Sequence, residues 1–533
     1  MNATSNHATD ALASLACYQA MKSHDARFDG RFFVAVSSTR IYCRPVCRVK
    51  LPKFENCRFF DLAAQAESHG YRPCMRCRPE MAPRSLPWTM QDASSTLALQ
   101  AARWLDEPSA WQGRQPSISQ LATHLGVSDR HVRRIFEDYF GVSPLQYLQT
   151  RRLLTAKQLL TDTDMPTAHI AIASGFGSVR RFSDAFLTHY RLNPSQLRKT
   201  ARSPDLRSDL RPESNTSTPK KDASCCSVKL SYRPPYDRQW MLEFFHKRQL
   251  NTAEFIAPQA NNTSATWTFS LQSGTKLYAG WLSAEFLADQ PAVLLKVSDS
   301  LRDVLPQIIR QVRALLDLDA DPMAINAVLK DSFMFDDSDV TGRFAGIRVP
   351  GCLNGFELAV RAILGQQVTV AAGRTFTQRV VDAFGSPIET PFPSLTRLFP
   401  AAETLAAASG EALGQLGIVK QRQAAIVALA RAVTSGELSL HPGVNIEETM
   451  TKLRALPGVG DWTAQYIAMR ALRWPDAFVA GDVALHKAMG LQHQSPPLSP
   501  VKTAAAALEA SQAWRPWRSY AVMRAWSSLS KLT

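Results

Sequence analysis

Four cysteines near the start of the chain have the spacing of metal ligands. Cys43 and Cys47 are separated by three residues, and Cys74 and Cys77 are separated by two. Two such pairs can place four thiolates around a tetrahedral Zn²⁺ ion. The sequence therefore predicts one zinc site. Buried free cysteines are an alternative, and the spacing alone favours a purely structural site over a reactive one.

The residues around these cysteines are basic, which indicates chemistry on a polyanion. The segment FFVAVSSTRIYC, which ends at Cys43, has the composition of a β-strand. Thiolates bound to zinc are deprotonated and electron-rich, so one of them could attack an electrophile on DNA held against this surface. The flanking basic residues are Arg40, Arg44, Arg48, Lys50, Arg72, Arg76 and Arg78.

A glycine turn and one carboxylate form a second candidate group. From Leu456 the chain reads LPGVGDWTAQYIAMRAL. Gly458 and Gly460 allow a close backbone approach, and a helix beginning at Asp461 presents free N–H groups that suit a phosphate. Asp482 follows 22 residues after Gly460, in the segment FVAGDVALHKA. An ordinary turn between helices and an aspartate that only caps a helix are the alternatives.

Two helix pairs in the first 200 residues could place basic side chains in a DNA groove. Ile118–Phe136 has apolar residues at helical spacing, then Gly126, then Ser128 as an N-cap, then a basic helix. His169–Phe186 repeats this pattern around the turn GFG. The arrangement is typical of helix-turn-helix motifs, and a helical bundle with solvated arginines is the alternative. Candidate groove-facing residues are Asp129, Arg130, Arg133, Arg134, Ser178, Arg180 and Arg181.

The composition also favours DNA as a partner. The 533 residues include 61 Lys and Arg against 46 Asp and Glu, so the formal net charge is +15. This length is enough for ~3–4 domains, and the surplus charge favours nucleic acid over an anionic membrane. No apolar run reaches the ~18–20 residues of a membrane span, and no signal peptide is recognisable. Nine cysteines with two close pairs suit a reducing compartment.

A polar segment divides the chain into two halves. The residues from Arg202 to Lys221 include Ser, Thr, Pro and charges with almost no large apolar side chain, so they cannot bury enough surface to fold. We assign 201–227 as a linker and expect the two halves to be independent. The first 200 residues carry 26 Lys and Arg against 16 Asp and Glu, which is +10 of the total charge.

The cysteine segments FFVAVSSTRIYCRPVCRVK and GYRPCMRCRP resemble the zinc domain of the Ada family over about residues 15–85. The resemblance implies that Cys43 irreversibly accepts a methyl group from a methyl phosphotriester in DNA. Loss of one negative charge from the zinc centre would then weaken its repulsion of phosphates and raise DNA affinity. The residues at positions where the family contacts DNA are Thr39, Arg48, Lys50 and Arg72, with Lys50 replacing an arginine.

The helix pairs, with the segments GVSPLQYLQTRRLLTAKQLL and FGSVRRFSDAFLTHYRLNPSQLR, resemble the AraC-type DNA-binding domain over about 90–200. The resemblance implies transcriptional activation at a promoter, with RNA polymerase as a partner. The Ada family also joins its zinc domain to such a domain. The first half is therefore predicted to be a methylation-activated regulator.

The second half resembles the AlkA-type 3-methyladenine glycosylases of the helix-hairpin-helix superfamily over about 228–533. The residues that carry the match are the glycine hairpin, Asp482, LSYRPPYDRQWMLEFFHKR, VPGCLNGFELAVRAILGQQVTVAAG and WRPWRSYAVMRAW. The resemblance implies that an alkylated purine, such as 3-methyladenine or 7-methylguanine, is flipped out and hydrolysed from its sugar. Asp482 would stabilise the oxocarbenium-like sugar and orient or deprotonate water. The base pocket would be Phe244, Trp462, Tyr466 and Trp526, for each of which a place in the hydrophobic core is the alternative.

Some positions depart from the superfamily pattern. Trp462 stands where bifunctional lyases have a lysine, so we predict a monofunctional glycosylase without Schiff-base chemistry. Gln367 replaces the leucine wedge that fills the gap left by the flipped base, and Val483 replaces a pocket tyrosine. No iron–sulfur cluster and no O6-alkylguanine methyltransferase domain are predicted. A monovalent cation could be held by the carbonyls of Arg454, Leu456 and Val459.

We therefore predict a multidomain fold. It consists of a small α+β zinc domain at 1–85, an all-α double helix-turn-helix domain at 86–200, the linker, an α+β subdomain at 228–345 and an all-α helix-hairpin-helix domain at 346–533. The predicted protein is a monomeric, cytoplasmic and nucleoid-associated bacterial repair protein of the adaptive response, with damaged and promoter DNA as partners.

Two alternatives stay open at this stage. One is a pure transcription factor whose second half binds DNA without chemistry, which the intact Asp482 after the hairpin argues against. The other is a glycosylase whose first half only recruits it to DNA through a structural zinc site.

Overall fold

The computed structural model of the protein describes residues 4–84, 93–106, 117–201, 225–259, 262–330, 344–491 and 499–529. The expected boundary near residue 85 and all but the ends of the expected linker 201–227 lie outside these residues. In this described part of the chain, no helix is both long and apolar enough to cross a membrane.

A four-stranded sheet organises the N-terminal region. Its strand order is β3-β1-β2-β4, with β1 antiparallel to both β2 and β3, and β2 parallel to β4. The parallel register pairs Ile41 with Arg72 and Tyr42 with Pro73, so the residues that follow both strands meet at the same end of the sheet. The elements are α1 (Thr4–Lys22), β1 (Phe33–Val36), β2 (Ile41–Cys43), β3 (Cys57–Phe60), α2 (Ala63–Ser68) and β4 (Arg72–Pro73).

The next region is helical and contains both predicted helix pairs. Each second helix begins at a serine N-cap, because the Ser128 hydroxyl accepts the N–H of His131 and the Ser178 hydroxyl accepts that of Arg181. Gly126 ends the first helix of its pair with φ +68°, a conformation that favours glycine. The helices are α3 (Ala93–Asp106), α4 (Ile118–Leu125), α5 (Asp129–Phe140), α6 (Pro144–Asp162), α7 (Thr167–Ala173), α8 (Val179–Tyr190) and α9 (Pro194–Ala201).

A five-stranded antiparallel sheet opens the C-terminal half, with the order β5-β9-β8-β7-β6. Burial alternates along β8, as expected for a sheet with one face on the core. Helix α10 packs against β6 and β7. The elements are β5 (Cys225–Ser231), α10 (Arg238–His246), β6 (Glu254–Gln259), β7 (Asn262–Ser273), β8 (Lys276–Phe286), β9 (Ala292–Ser298), α11 (Leu305–Leu315) and α12 (Pro322–Leu329).

The described residues from 344 onward are mainly helical, so the predicted fold class is confirmed. The almost wholly apolar helix α13 packs against α14, α17 and α19, and α20 packs against α22. The helices are α13 (Gly355–Leu364), α14 (Val370–Phe384), α15 (Ala402–Ala406), α16 (Gly410–Gln415), α17 (Lys420–Thr434), α18 (Ile446–Ala455), α19 (Asp461–Arg470), α20 (Val483–Ala488), α21 (Pro500–Ala510) and α22 (Arg518–Leu529).

Buried charges join the zinc region to the double helix-turn-helix region. The Lys157 ammonium on α6 donates to Glu80 at 2.5 Å, and both side chains are almost fully buried. Arg78 forms ion pairs with Glu80 at 3.0 Å and with Asp162 at 2.6 Å. Buried pairs of this kind hold a fixed geometry, because separating them would leave uncompensated charge.

The two halves of the chain are also packed together, so the expectation of independent halves is wrong. Ile170 and Phe182 of the second helix pair belong to one continuous apolar cluster with Val228 and Val297 of the five-stranded sheet. Arg233, which is fully buried in the C-terminal half, donates to main-chain carbonyls of the N-terminal half. The polar composition of the segment between the halves could not predict this contact, because the contact is made by residues that are distant in sequence.

Candidate functional site

A cavity of about 600 Å³ lies where α10, α13, α19, α20 and α22 meet. Its volume is within the range of sites that enclose small molecules. All four predicted pocket aromatics and Asp482 line this cavity, so the structure brings the predicted base pocket and the predicted carboxylate together.

The carboxylate of Asp482 is held by three N–H donors. As the N-cap of α20, it accepts the backbone N–H of Leu485 at 2.7 Å through Oδ1. Trp462 donates its indole N–H to Oδ2 at 3.0 Å, and Trp526 donates its indole N–H to Oδ1 at 2.9 Å. Asp482 is therefore a helix cap and a cavity residue at once, so the two roles weighed from sequence are compatible.

The aromatic residues on one side of the cavity form a stack. Trp462 and Tyr466 are four residues apart on α19, so their side chains share one face of the helix. Their ring centroids lie 5.2 Å apart with an angle of 9° between the planes. Trp526 follows with its centroid 6.3 Å from that of Tyr466. This wall offers flat apolar surface beside the carboxylate.

Two arginines that sequence analysis did not predict, Arg248 and Arg470, also line the cavity. The Cζ atom of Arg248 lies 3.7 Å from the ring centroid of Phe244, and the Cζ of Arg470 lies 4.9 Å from the same centroid. Arg470 also donates to the Tyr466 hydroxyl at 2.5 Å. The only sequence feature that could have predicted these arginines as cavity residues is their spacing, because Arg248 lies four residues after Phe244 and Arg470 lies four residues after Tyr466. The cavity lining thus combines the four predicted aromatic residues with two arginines.

Burial and charge shift the titration of this cluster. Burial, the largest influence, lowers the pKa of the Arg248 guanidinium to about 10. Burial also acts to raise the pKa of the Tyr466 hydroxyl, but the neighbouring Arg470 and Arg248 outweigh it and leave the pKa lowered. Arg248 therefore remains charged at neutral pH, and the tyrosine hydroxyl is held as a hydrogen-bond acceptor.

The glycine hairpin between α18 and α19 has the geometry of a backbone contact surface. Gly458 has φ +73°, which favours glycine, and an added Cβ would contact Ala425 at 3.4 Å. Gly460 N-caps α19 without a side-chain hydrogen bond, so the first N–H groups of the helix stay open. Its φ of −88° suits any residue, and no described residue beyond its chain neighbours lies within 4 Å of the place where a Cβ would be, so the backbone at Gly460 is open to a close approach from outside.

The predicted wedge residue lies close to this hairpin. Gln366 donates from Nε2 to the Gly458 carbonyl at 2.9 Å and to the Thr463 hydroxyl at 2.8 Å. Gln367 follows in a left-handed conformation, φ +53°, and is exposed. A non-glycine residue in this conformation is uncommon and marks a backbone fixed by its surroundings.

The four cysteines converge at one end of the N-terminal sheet. Their sulfur atoms all lie within 4.8 Å of one another. Four sulfurs around a tetrahedral Zn²⁺ at ~2.3 Å would be about 3.8 Å apart, so this donor set fits the ion. Cys43, Cys47 and Cys74 are buried and Cys77 is half-buried, so exposure does not single out Cys43. The backbone N–H of Arg44 donates to the sulfur of Cys77 at 3.3 Å.

Two of the basic residues that flank the cysteines do not belong to a DNA-facing surface. Arg44 is buried and donates from Nε to Asp29 at 2.8 Å, and Arg78 is buried in the ion pairs with Glu80 and Asp162. Sequence alone could not separate structural from exposed arginines, because their partners lie elsewhere in the chain. Among the predicted DNA contacts of this region, the exposed ones are Thr39, Arg48 and Lys50, and Arg72 is half-buried.

The second helix of each helix-turn-helix pair presents a basic face. The apolar residues Val132 and Phe136 of α5, and Phe182 and Phe186 of α8, are buried on the opposite face. Gly175, with φ +83°, provides the left-handed residue of the second turn. The predicted arginines Arg130, Arg133, Arg134, Arg180 and Arg181 are all exposed.

Comparison with known families divides the chain into four matched regions. The family described as the metal binding domain of Ada matches residues 16–80, and a helix-turn-helix domain matches 121–200. The AlkA N-terminal domain matches 227–354, and the HhH-GPD superfamily base excision DNA repair protein matches 360–513. Each cysteine of the cluster lies in the first region, and Asp482 lies in the last.

Similarity to a known protein extends over nearly the whole chain. A probable bifunctional transcriptional activator/DNA repair enzyme AlkA from Mycobacterium tuberculosis is 36% identical over 516 residues, which is 96% of both chains. The DNA-3-methyladenine glycosylase 2 of Escherichia coli is 32% identical over 56% of this chain and 95% of its own. The bifunctional transcriptional activator/DNA repair enzyme Ada of E. coli is 30% identical over 30% of this chain and 42% of its own.

Proposed function

Because the chain belongs to the family of bifunctional transcriptional activator/DNA repair enzymes represented by the M. tuberculosis AlkA protein, we propose that it combines a methylation-responsive activator with an alkylbase DNA glycosylase. The domains present are an Ada-type zinc domain, a helix-turn-helix domain and an HhH-GPD repair domain. The methyl transfer, the damaged bases and the residue roles below are the content of the proposal.

The observation that carries the glycosylase proposal is the position of Asp482 in the cavity wall, fixed by Trp462 and Trp526. As the bond between the sugar C1′ and the purine nitrogen breaks, its electron pair leaves with the base and positive charge develops on the sugar. The Asp482 carboxylate stabilises that charge and accepts a proton from the water that adds to C1′. The indole N–H groups of Trp462 and Trp526 restrict rotation of the Asp482 carboxylate.

The aromatic wall supports binding of a flipped purine. A base stacked on Trp462 and Tyr466 would gain about 1–3 kcal/mol, which offsets part of the cost of leaving the duplex. Alkylated purines such as 3-methyladenine and 7-methylguanine carry a weakened glycosidic bond and are the proposed substrates. No lysine stands at position 462, which supports hydrolysis without a Schiff base.

The glycine hairpin and Gln367 are the proposed DNA contacts of the C-terminal half. The open N–H groups at the start of α19 suit a phosphate of the damaged strand. Gln367 would enter the space left by the flipped base. The proposed monovalent cation would use the carbonyls of Arg454, Leu456 and Val459; the Leu456 carbonyl also accepts the N–H of Val459, which leaves its second lone pair for the ion.

The cysteine cluster supports a Zn²⁺ site, and we propose Cys43 as the methyl acceptor on the resemblance to the Ada family. Bound Zn²⁺ would keep the four sulfurs deprotonated. The Cys43 sulfur attacks the methyl carbon, an S–C bond forms, and the C–O bond breaks with its electron pair on the phosphate oxygen. Thr39, Arg48, Lys50 and Arg72 would hold the backbone of the DNA during this step.

The helix-turn-helix arginines are the proposed promoter contacts of a transcriptional activator. Their exposure on α5 and α8 lets them reach phosphates or base edges in successive grooves. We propose that the protein acts as a monomer in the bacterial cytoplasm, on the nucleoid, and that activation involves contact with RNA polymerase.

One experiment tests both activities. The full chain, loaded with zinc, is incubated with duplex DNA carrying radiolabelled methyl groups, and released bases and methylated peptides are identified by mass spectrometry. We expect free 3-methyladenine together with a methyl group on Cys43. Release of no base, with Asp482→Asn behaving like the wild type, would favour the pure transcription factor. Base release without protein methylation would favour a structural zinc site.

A further inference from the structure

A network of buried hydrogen bonds connects the cysteine cluster to the C-terminal half. The backbone N–H of Arg44 donates to the sulfur of Cys77 at 3.3 Å, and its guanidinium donates to the Cys77 carbonyl at 3.0 Å. The same guanidinium binds both carboxylate oxygens of Asp29. Arg233 of the C-terminal half donates to the main-chain carbonyl of Asp29 at 2.7 Å. The Arg44–Asp29–Arg233 network therefore extends from a predicted zinc ligand to the other half of the chain.

The backbone around Asp29 has no space in which to adapt. Gly30, the next residue, has φ +73°, and an added Cβ would lie 2.0 Å from the carbonyl oxygen of Pro83. The same Cβ would lie 3.3 Å from Nη2 of Arg233. Close-packed atoms transmit displacements to their neighbours. A change at Arg233 is therefore expected to shift Asp29 and, with it, the carboxylate that holds Arg44.

Burial makes each bond of this network difficult to break. Asp29 and Arg44 are buried, and Arg233 is fully buried. On the C-terminal side, Arg233 is itself held, because its Nη1 donates to the Asp319 carbonyl at 2.8 Å and its own carbonyl accepts an N–H of the Arg348 guanidinium at 2.6 Å. A buried polar group that loses its partner costs more free energy than an exposed one, so these residues keep a single arrangement.

We propose that Arg233 is a positioning residue for the zinc centre. It fixes Asp29, Asp29 fixes Arg44, and Arg44 holds Cys77 in the place that binds the ion. Residues that orient metal ligands contribute strongly to metal affinity, so retention of Zn²⁺ depends on the C-terminal half although all four ligands belong to the N-terminal half. Coupling between two equilibria is reciprocal, so bound Zn²⁺ strengthens the contact between the halves in return. This dependence needs the zinc site but neither the proposed methyl transfer nor the proposed base release.

The rate of zinc release from the full-length, zinc-loaded chain tests the proposal. Release into an excess of a chromophoric zinc chelator is followed by absorbance, and the zinc content of each variant is measured beforehand. In Arg233→Met the donor to Asp29 is absent, and we expect Zn²⁺ to leave roughly 10-fold faster than from the wild type. Arg233→Lys keeps the charge but lacks the forked guanidinium, so we expect an intermediate rate. The lysine variant serves as the test if the methionine variant folds poorly.

Two other variants separate the network from a general loosening of the boundary. Asp321→Asn removes an ion pair across the same boundary, which Arg31 forms with Asp321 at 3.0 Å, while asparagine still caps α12. We expect its zinc release to change by less than about 3-fold. Asp29→Asn keeps the carbonyl that Arg233 binds but weakens the pair with Arg44, and should release Zn²⁺ faster than the wild type. Adding Arg233→Met to Asp29→Asn should have little further effect, because both substitutions act through Arg44.

Each contrary outcome has a distinct meaning. Unchanged zinc release in Arg233→Met, or in Arg233→Lys where it serves as the test, would overturn the inference. Equal acceleration in Asp321→Asn would assign the effect to the boundary as a whole, and independent effects in the double variant would place Asp29 and Arg233 on separate routes; either result contradicts the network. A wild-type chain that binds no Zn²⁺ would contradict the metal site itself. Absence of methyl transfer or base release alongside the expected zinc kinetics would contradict only the proposed function.

Discussion

Arg233 donates from Nε to the main-chain carbonyl of Asp29 at 2.7 Å, across the boundary between the two halves of the chain. The same guanidinium donates to the carbonyls of Pro83 and Arg84 on the N-terminal side, and to those of Asp319 and Ala320 on the C-terminal side. The side chain is fully buried. A single buried residue therefore donates to five backbone carbonyls from both halves of the chain.

Arg233→Met is expected to loosen this boundary. The substitution keeps much of the side-chain volume but leaves the five carbonyls without their donor, so we expect a loss of several kcal/mol in the free energy of unfolding. Denaturant unfolding should become less cooperative, with the two halves melting separately. The control Arg238→Met removes a single bond, to Leu287, and should cost about 1 kcal/mol. Equal losses in the two variants would contradict the proposed role of Arg233.

Asp482→Asn should abolish catalysis and leave the fold intact. Asparagine caps helices about as well as aspartate, but its NH2 group cannot accept the indole N–H that Trp462 donates to Oδ2, so the melting temperature should fall only modestly. The neutral amide can neither stabilise the sugar cation nor accept a proton from water, so single-turnover base release should fall by at least about 100-fold. Base release within a few-fold of the wild type would exclude Asp482 as the catalytic carboxylate.

Trp526→Phe tests whether the indole N–H groups position that carboxylate. The phenyl ring keeps the apolar wall but removes the donor to Asp482 Oδ1. Loss of one hydrogen bond worth about 1–2 kcal/mol should slow base release by roughly 5- to 30-fold. In the double variant with Asp482→Asn, the tryptophan substitution should have almost no additional effect, since its partner has already lost its function. Additive effects would place Trp526 in a different role, such as base stacking alone.

Removal of the metal should affect mainly the N-terminal half. The intact protein is expected to contain one Zn²⁺ per chain, and a chelator should take away the ion that holds β2 and β4 together at Cys43 and Cys74. Because Glu80 and Arg78 bind α6, hydrogen exchange should also increase in the helix-turn-helix region. Release of 3-methyladenine should persist. Cys57→Ser, outside the cluster, should retain the full zinc content.

Glu67 should make the stability of the N-terminal half depend on pH. The carboxyl accepts hydrogen bonds from the Tyr42 hydroxyl at 2.9 Å and the Thr150 hydroxyl at 2.7 Å. Burial nevertheless dominates and raises its pKa to about 7. Since the folded state then binds the proton more tightly than the unfolded state, stability from this group is present at low pH and is lost as the pH rises towards 7.

The matched variant for this effect is Glu67→Gln, which cannot titrate. The melting temperature of the wild type relative to Glu67→Gln should fall as the pH is raised from about 5.5 to about 8.5, by the equivalent of on the order of 2–3 kcal/mol. Protonation of the zinc ligands affects both proteins alike and cancels in the difference. A constant difference across this range would show that Glu67 is ionised throughout.

The sequence is sufficient to predict features that depend on local spacing. The cysteine pairs, the Ser128 N-cap and the turn glycine Gly126 follow from residues close together in the chain, and the structure has them in place. These features obey short-range rules of coordination, capping and backbone conformation.

Features that depend on distant partners were not predictable in this way. Arg44 and Arg78 belong to a basic stretch in the sequence, but they are buried because Asp29, Glu80 and Asp162 are brought to them by the fold. The pairing of Arg248 and Arg470 around Phe244 likewise joins α10 to α19, more than 200 residues apart. An isolated arginine carries no signal that separates a solvated side chain from a cavity wall.

The buried contacts around Arg233 also predict how the protein would behave after cleavage of the polypeptide between its two halves. The polypeptide between 202 and 224 is not the only connection between the halves, because hydrogen bonds and a shared apolar cluster join them as well. A protease that cuts in this segment would produce a nicked particle that still elutes as a single species. By the same reasoning, the two halves should associate into one complex when they are expressed from separate genes.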